Sequence, residues 1–201
     1  MQILSLKIKT KNNPNVFLCE TQTEIFEMHS DIIVKFKISV GEIEDEKFFL
    51  AIQQSAEIIA FNLAVKYVGN RLKTEQQIKD YLYKKNYNKI NIDSVVKKLK
   101  EYKIIDDKNY TKTYARSNPN FSKNKLKQKL FSFGVKSQII DECLSDINDI
   151  ESCKKNAEKY LRNKEIDKST IEKLIRRLQG MGYSWETIKS TLNFLKCEQQ
   201  Y

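Results

Sequence analysis

Residues Thr74–Leu99, TEQQIKDYLYKKNYNKINIDSVVKKL, decide the fold of this chain. They read as two short helices joined by a turn. Ile78 and Leu82 lie four apart on the first, and Ile92, Val96 and Leu99 share a face of the second. The stretch then returns twice. Ile78, Leu126 and Leu174 are related by one step, 126−78 and 174−126 both being 48. The same step joins Leu82, Leu130 and Leu178, and then Tyr87, Val135 and Tyr183. It continues through Ile92, Ile140 and Ile188, through Val96, Leu144 and Leu192, and through Leu99, Ile147 and Leu195. Six apolar positions in register define a tandem helical repeat.

The punctuation of the chain agrees with the periodicity. Thr74, Ser122 and Thr170 open the middle helix of each copy, each with a hydroxyl that can accept from an unpaired amide. Gln77, three residues after Thr74, completes a capping box. Asn86, Gly134 and Gly182 close those helices with residues that tolerate a left-handed backbone. The following helices begin near Asn88, Ser137 and Ser184. A first helix precedes each pair less regularly. In the second copy it runs over about Asp107–Arg116, with Tyr110 and Tyr114 on one face. In the third it runs over about Glu151–Asn163, with Ala157 and Leu161, and the step slips by one residue.

Upstream, Asp45–Val68 has helical periodicity through Phe49, Ile52, Ala56, Ile59, Ala60, Leu63, Ala64 and Tyr67, and Gly69-Asn70 ends it. Residues 2–10 alternate in period two, which places Leu4, Leu6 and Ile8 on the buried face of a strand. KNNPN reads as a turn, VFLCET as a second strand and Ile25–Met28 as a short third. SDIIVKFKI, from Ser30, fits a brief helix capped by Ser30 or a strand, and ends at Gly41. The expected fold is mainly α. Three tandem three-helix repeats, of period about 48, follow a small N-terminal extension containing a β-hairpin. The segments are 1–44 for the extension and 45–105, 106–149 and 150–201 for the repeats.

Charged residues make up 31% of the chain, with five Gly and two Pro, a balance that favours helix over sheet. Lys+Arg exceed Asp+Glu by 36−26, giving +10. Such a charge implies a polyanionic partner, an acidic protein surface or a solubilising coat. MQILSLKIKTKNNPN is broken by Lys and Asn before an apolar core forms, so no signal peptide is expected. No run reads as the ~20 apolar residues of a membrane span. Cys19, Cys143, Cys153 and Cys197 are scattered, and His29 is the single histidine, so no zinc or other metal site is expected. The expectation is a cytoplasmic protein with reduced cysteines.

From Leu99 to Tyr110 the sequence is LKEYKIIDDKNY, followed by TKTYARS. Together with SKNKLKQKLFSFGV and EKLIRRLQGMGYSWETI, it resembles RecX, the family of bacterial regulators of the RecA recombinase. Asp106-Asp107 followed by Tyr110 and Tyr114 is the most specific piece. The likeness covers about residues 50–196, and the N-terminal hairpin looks like the extension of longer members. Lys103 stands where the family usually has Gly, Asn86 where Gly is common, and Thr111 where Ala often follows the aromatic. The resemblance implies a curved stack of three-helix units lying in the groove of a RecA–single-stranded DNA filament. It also implies inhibition or tuning of strand exchange, ATPase and co-protease activity, with no catalysis.

The repeat logic nominates cations. Lys125 corresponds to Lys173 and Lys129 to Arg177, each pair four apart beside the leucine stripe. Like charges at that spacing cost a few tenths of a kcal/mol in an isolated helix. Their recurrence suggests an anion to be met; the alternative is a solvated helix face. Lys112, Arg116, Lys123 and Lys127 extend the basic surface of the second copy, and Arg162 and Arg176 that of the third. Such residues could track phosphates, or Arg116 and Arg177 could pair with carboxylates on RecA. Tyr83 and Phe131, equivalent and off the apolar stripe, either stack on bases or pack between repeats. Trp185 is expected to pack where the chain enters its helix. Asp106 and Asp107 are adjacent and cannot form a general acid/base pair, so they read as helix caps. His29, with no partner pattern, reads as structural or exposed. With no P-loop, dinucleotide fingerprint or nucleophile elbow, neither an enzyme nor a cofactor is indicated. The reading is a monomeric regulator that binds RecA and single-stranded DNA within its filament, or DNA alone. The alternatives are a helical DNA-binding transcriptional regulator and a basic helical scaffold.

Overall fold

The computed structural model describes residues 1–69 and 71–198, with side chains through residue 195. The chain forms two compact units, Met1–Ile105 and a second from Asp106 onward.

The first unit opens with a four-stranded antiparallel sheet in the order β3-β2-β1-β4. Its strands are β1 (Gln2–Thr10), β2 (Asn13–Thr21), β3 (Ile25–His29) and β4 (Gly41–Glu42). The turn predicted over KNNPN is tighter than expected: Thr10 pairs with Asn13, leaving only Lys11 and Asn12 in the loop. The buried face of β1 also differs from simple alternation. Ile3 is buried and Leu6 packs on the same cluster, while Leu4 and Ile8 are exposed. A register shift between Ile3 and Ser5 explains why Leu6 rather than Leu4 joins Ile3, because a bulge at Leu4 turns the following side chains over. The ambiguous segment after Ser30 is helix α1 (Ser30–Phe36), whose N-cap is His29 rather than Ser30. His29 Nδ1 accepts from the Asp31 amide at 3.3 Å, and the imidazole is buried.

Helix α2 (Asp45–Val68) serves two cores in succession. Phe48 and Ala51 join Ile3, Cys19, Met28, Ile32 and Ile38 in the core beneath the sheet. Ala60, Ala64 and Val68 belong to a second core, shared with helices α3 (Glu75–Lys84) and α4 (Lys89–Glu101). At ~100° per residue these two sets lie on nearly opposite sides of the helix. Hence Phe48, not the expected Phe49, is buried, and the helix reads as apolar all round. By length and composition α2 is apolar enough to cross a membrane, which corrects the expectation that no run approaches a span. A third (33%) of its most apolar window is buried inside the protein. Gly69, at φ 44°, bonds back to the Val65 carbonyl and ends the helix; Asn70 lies outside the described residues.

Thr74 Oγ1 accepts from the Gln77 amide, and Gln77 Oε1 accepts in return from the Thr74 amide at 3.2 Å, the capping box expected from sequence. Two ion pairs and a hydrogen bond tie this unit's helices together. Glu57 of α2 meets Lys98 at 2.6 Å and accepts from Ser94, and Glu75 of α3 meets Lys100 at 2.5 Å. The Lys98 and Ser94 hydrogen bonds hold the Glu57 carboxyl below its usual range. Burial pushes Glu75 up, but Lys100 and Lys79 together outweigh it and its pKa falls.

The second unit contains α5 (Asp107–Ser117), α6 (Lys123–Ser132) and α7 (Ser137–Cys143) around Leu126, Leu130, Val135, Ile140 and Leu144. It continues with α8 (Asp149–Leu161), α9 (Lys168–Gly180) and α10 (Trp185–Glu198) around Cys153, Ala157, Leu174, Leu178, Tyr183 and Ile188. Each fully buried leucine of this stripe contributes ~1.5–3 kcal/mol. Helices α3 and α6 occupy equivalent spans at the 48-residue step, and Asn86, Gly134 and Gly182 all adopt positive φ (63°, 80° and 88°). Two caps depart from expectation. Helix α9 starts before Thr170, because Asp167 is the N-cap and its carboxylate accepts from the Thr170 amide at 2.7 Å. At α7 the N-cap position is Lys136, which offers no side-chain acceptor, and that helix runs only 7 residues. Asp106 caps α5, accepting from the Lys108 and Asn109 amides at 2.8 and 3.2 Å.

Candidate nucleic-acid interface

All ten cations nominated from sequence lie in the second unit. Helix α6, KNKLKQKLFS, carries four lysines and no acid, and its Leu126 and Leu130 face the core. The lysines do not act alike. Lys123 Nζ donates to the Ser145 carbonyl at 3.2 Å, and Lys127 pairs with Asp141 at 2.5 Å, so both lean across toward α7 and its C-terminal turn. Lys125 reaches the end of α9, where its ammonium donates to the Gly180 carbonyl and stands 4.5 Å from the Phe121 ring centroid. The last carbonyls of a helix carry partial negative charge and lack intrahelical donors, which is why a lysine settles there. Lys129 remains exposed and makes no ion pair among the described residues.

Lys125 is also part of a joint that sequence reasoning missed. The Ser122 amide donates to the Met181 carbonyl at 3.0 Å, and Ser122 Oγ donates to the Gly182 carbonyl at 2.6 Å while accepting from the Lys125 amide at 3.1 Å. Tyr183 Oη donates to the Asn120 carbonyl at 3.2 Å and accepts from Asn156 Nδ2 at 3.0 Å. Burial pushes the Tyr183 phenol up to about 12, so it keeps its proton in this network. The joint welds the start of α6 to the α9–α10 corner. Its only sequence trace is the hydroxyl at Ser122 and the glycine at Gly182, both already explained by capping.

On α9, Lys173, Arg176 and Arg177 are all exposed. The Arg177 guanidinium lies 5.6 Å from the Tyr160 ring centroid, and Lys164 lies 3.4 Å from the same ring. Arg162, the C-cap of α8, is exposed. Lys112 and Arg116, one turn apart on α5, line a cavity of about 520 Å³ with Phe121, Asn148, Glu151 and Lys155. The cation pair on α9 is therefore open to solvent as the repeat logic requires, whereas the α6 pair is split between the joint and the surface.

The aromatics depart from the packing expectation. Tyr83 and Phe131 are 75% and 70% exposed, and Trp185 is 56% exposed. The Tyr183 ring, buried two residues earlier, occupies the inward position at the start of α10. Cys19, Cys143 and Cys153 are free thiols, and burial raises the pKa of Cys19 and Cys153. Among the described residues no group of three or more His, Cys, Asp or Glu is arranged to hold a metal.

The helical core just described matches known proteins. Residues 60–99, the end of α2 with α3 and α4, match the family model for the first three-helix domain of RecX. The regulatory protein RecX of Clostridium tetani is 30% identical over 203 residues, covering 96% of this chain and 94% of the relative. The chain belongs to the RecX family. A RecX regulatory protein of Clostridium botulinum (strain Eklund 17B) is 32% identical over 198 residues, covering 94% of this chain and 92% of its own length. In the RecX family the fold is shared more widely than the sequence. A crystal structure of regulatory protein RecX superposes with a TM-score of 0.65 at 19% identity over 96% of this chain and 98% of its own. RecX from Lactobacillus salivarius gives 0.61 at 22% identity, covering 71% of this chain and 97% of its own. The alignment with the Clostridium relatives spans the N-terminal sheet as well as the helices.

Proposed function

We propose that this RecX-family chain regulates the RecA recombinase by binding RecA–single-stranded DNA filaments as a monomer in the cytoplasm. It acts without catalysing a reaction of its own. The observation that carries the reading is the set of exposed cations that form no ion pair among the described residues: Lys129 on α6 and Lys173, Arg176 and Arg177 on α9. Family membership and the RecX resemblance supply the partner, and the cations supply a means of meeting a polyanion. Lys112, Arg116 and Arg162 extend the same surface chemistry. Lys123, Lys125 and Lys127 serve first as ties within the unit. Bound along the filament, such a surface competes for phosphates and protomer contacts that partner DNA or a co-protease substrate would use.

Each phosphate contact adds salt dependence and no sequence readout. The test is RecA ATP hydrolysis on single-stranded DNA, titrated with this protein at two salt concentrations. A Lys129/Lys173/Arg176/Arg177→Glu variant leaves the joint intact. The expected result is inhibition by the wild type that weakens with salt, and a concentration for half-inhibition raised on the order of tenfold or more in the variant. Equal inhibition by both discards these residues and keeps RecA. No effect of either, with retained duplex binding, assigns a DNA-binding regulator instead.

A further inference from the structure

Helices α6 and α9 carry matching polar side chains on matching flanks, and only one of the two flanks is covered. At ~100° per residue, Ser122, Lys125, Gln128 and Lys129 lie together on one side of the α6 leucine stripe. Their counterparts at the 48-residue step, Thr170, Lys173, Arg176 and Arg177, lie on the same side of the α9 stripe. The α6 flank holds the end of α9. Between them, Ser122 and Lys125 satisfy three consecutive carbonyls there. Lys125 Nζ donates to Gly180, the Ser122 amide to Met181 at 3.0 Å, and Ser122 Oγ to Gly182 at 2.6 Å. Carbonyls at a helix end lack intrahelical donors and carry partial negative charge, so a cationic flank is their complement.

The α9 flank has no such occupant. Lys173, Arg176 and Arg177 are exposed and form no ion pair among the described residues. Gly180, on the same flank, would meet nothing within 4 Å if it carried a Cβ. Asp167, just before the helix, is engaged by the Thr170 amide at 2.7 Å. Glu172, the only acid within α9, lies outside the flank. The outer side of a terminal repeat needs only to be polar; this one is cationic. A second copy of the chain is a poor fit. The corner after α3, the counterpart of the α9 end, has Lys84 and Lys85 where Gly180 and Met181 stand. Stacking that corner on α9 would set cation against cation.

We propose that the Thr170–Gly180 flank of α9 docks the C-terminal end of a helix in the partner protein. Lys173 and Arg177 grip its last carbonyls as Lys125 grips those of α9. The proposal rests on the filament reading above and assigns these two cations to RecA itself rather than to DNA phosphates.

The test compares the wild type with Lys173→Met/Arg177→Met, which removes both charges and keeps most of the side-chain stems. RecA ATP hydrolysis on single-stranded DNA is measured beside binding of fluorescent oligo(dT) without RecA across a salt series. Unchanged melting temperatures verify that the variant folds. The concentration for half-inhibition should rise about tenfold or more, while oligo(dT) affinity and its salt slope stay as in the wild type. A slope flattened by ~0.7 for each cation removed would put the pair on phosphates and overturn the proposal. RecA inhibition equal to that of the wild type also overturns it, and the wider filament reading still stands. If the wild type has no effect on RecA, both readings fall together. Ser169→p-benzoylphenylalanine, at an exposed position bordering the flank, then identifies what docks there. Photo-cross-links to the last turn of a RecA helix are the expected result. Cross-links to DNA, to other parts of RecA or to nothing overturn the proposal.

Discussion

At the residue scale, the two glycines at the end of α9 have opposite roles. Gly180 lies in the helix with nothing within 4 Å of an added Cβ. Gly182 adopts φ 88°, and a Cβ there would stand 2.6 Å from Lys125 Cβ and 2.8 Å from Ser122 Oγ. Gly180→Ala should therefore stabilise by ~0.5–1 kcal/mol, by lowering unfolded-state entropy. Gly182→Ala should destabilise by ~1–3 kcal/mol, by forcing both a left-handed alanine and a clash at the joint. Thermal melts of the two single variants measure the contrast; equal and opposite shifts are not required, but Gly182→Ala melting at or above wild type contradicts the joint. A glycine is visible in sequence at both positions. Only the neighbour across the joint distinguishes them.

At the scale of the element, a helix owes its start to the residue just outside it. Asn88 accepts from the Asn91 amide at 2.9 Å at the start of α4, and Ser184 accepts from the Thr187 amide at 3.2 Å before α10. Lys136 holds the equivalent place before α7 and offers nothing. Lys136→Asn should stabilise the protein by ~0.5–1 kcal/mol and raise its melting temperature by ~1–4 °C. A lower melting temperature would show that the lysine is held by something other than its place at the helix start. The spacing from Asn88 to Ser184 makes position 136 the cap, yet Ser137 is the better capping residue type. A sequence reading is drawn to chemistry, whereas the backbone step decides position. Helix α2 teaches a related lesson. Its unbroken apolar pattern hides a change of buried face halfway along, because periodicity averaged over 24 residues cannot register a helix that serves two cores.

At the scale of the whole molecule, the partly buried depressed carboxylates Glu57 and Glu75 both lie in the Met1–Ile105 unit, both bound to lysines of α4. A carboxyl whose folded pKa is below its unfolded value contributes stability above the unfolded pKa and loses it as pH falls through the folded one. A Glu57→Gln/Glu75→Gln variant should therefore melt below wild type at pH 7, and the gap should close as pH falls below ~4. A gap that persists at pH 3 would assign the loss to packing rather than charge.

The candidate site divides the same way. The exposed cations of α9 were legible, because a helix wheel sorts residues from the leucine stripe outward, whereas the exposure of Phe131 was not. The commitment of Lys125 to Gly180, and of Lys127 to Asp141, was not legible, since each partner belongs to a different helix. The sequence by itself determined the helices, their left-handed stops and the 48-residue recurrence, because caps, φ preferences and apolar period are properties of neighbours along the chain. Only the tertiary structure decided which face of α2 is buried where, how the bulge turns β1 over, and which lysines remain free. Those outcomes depend on the distances between elements, and a lysine four residues from another can find a carbonyl fifty-five residues away closer than any ligand.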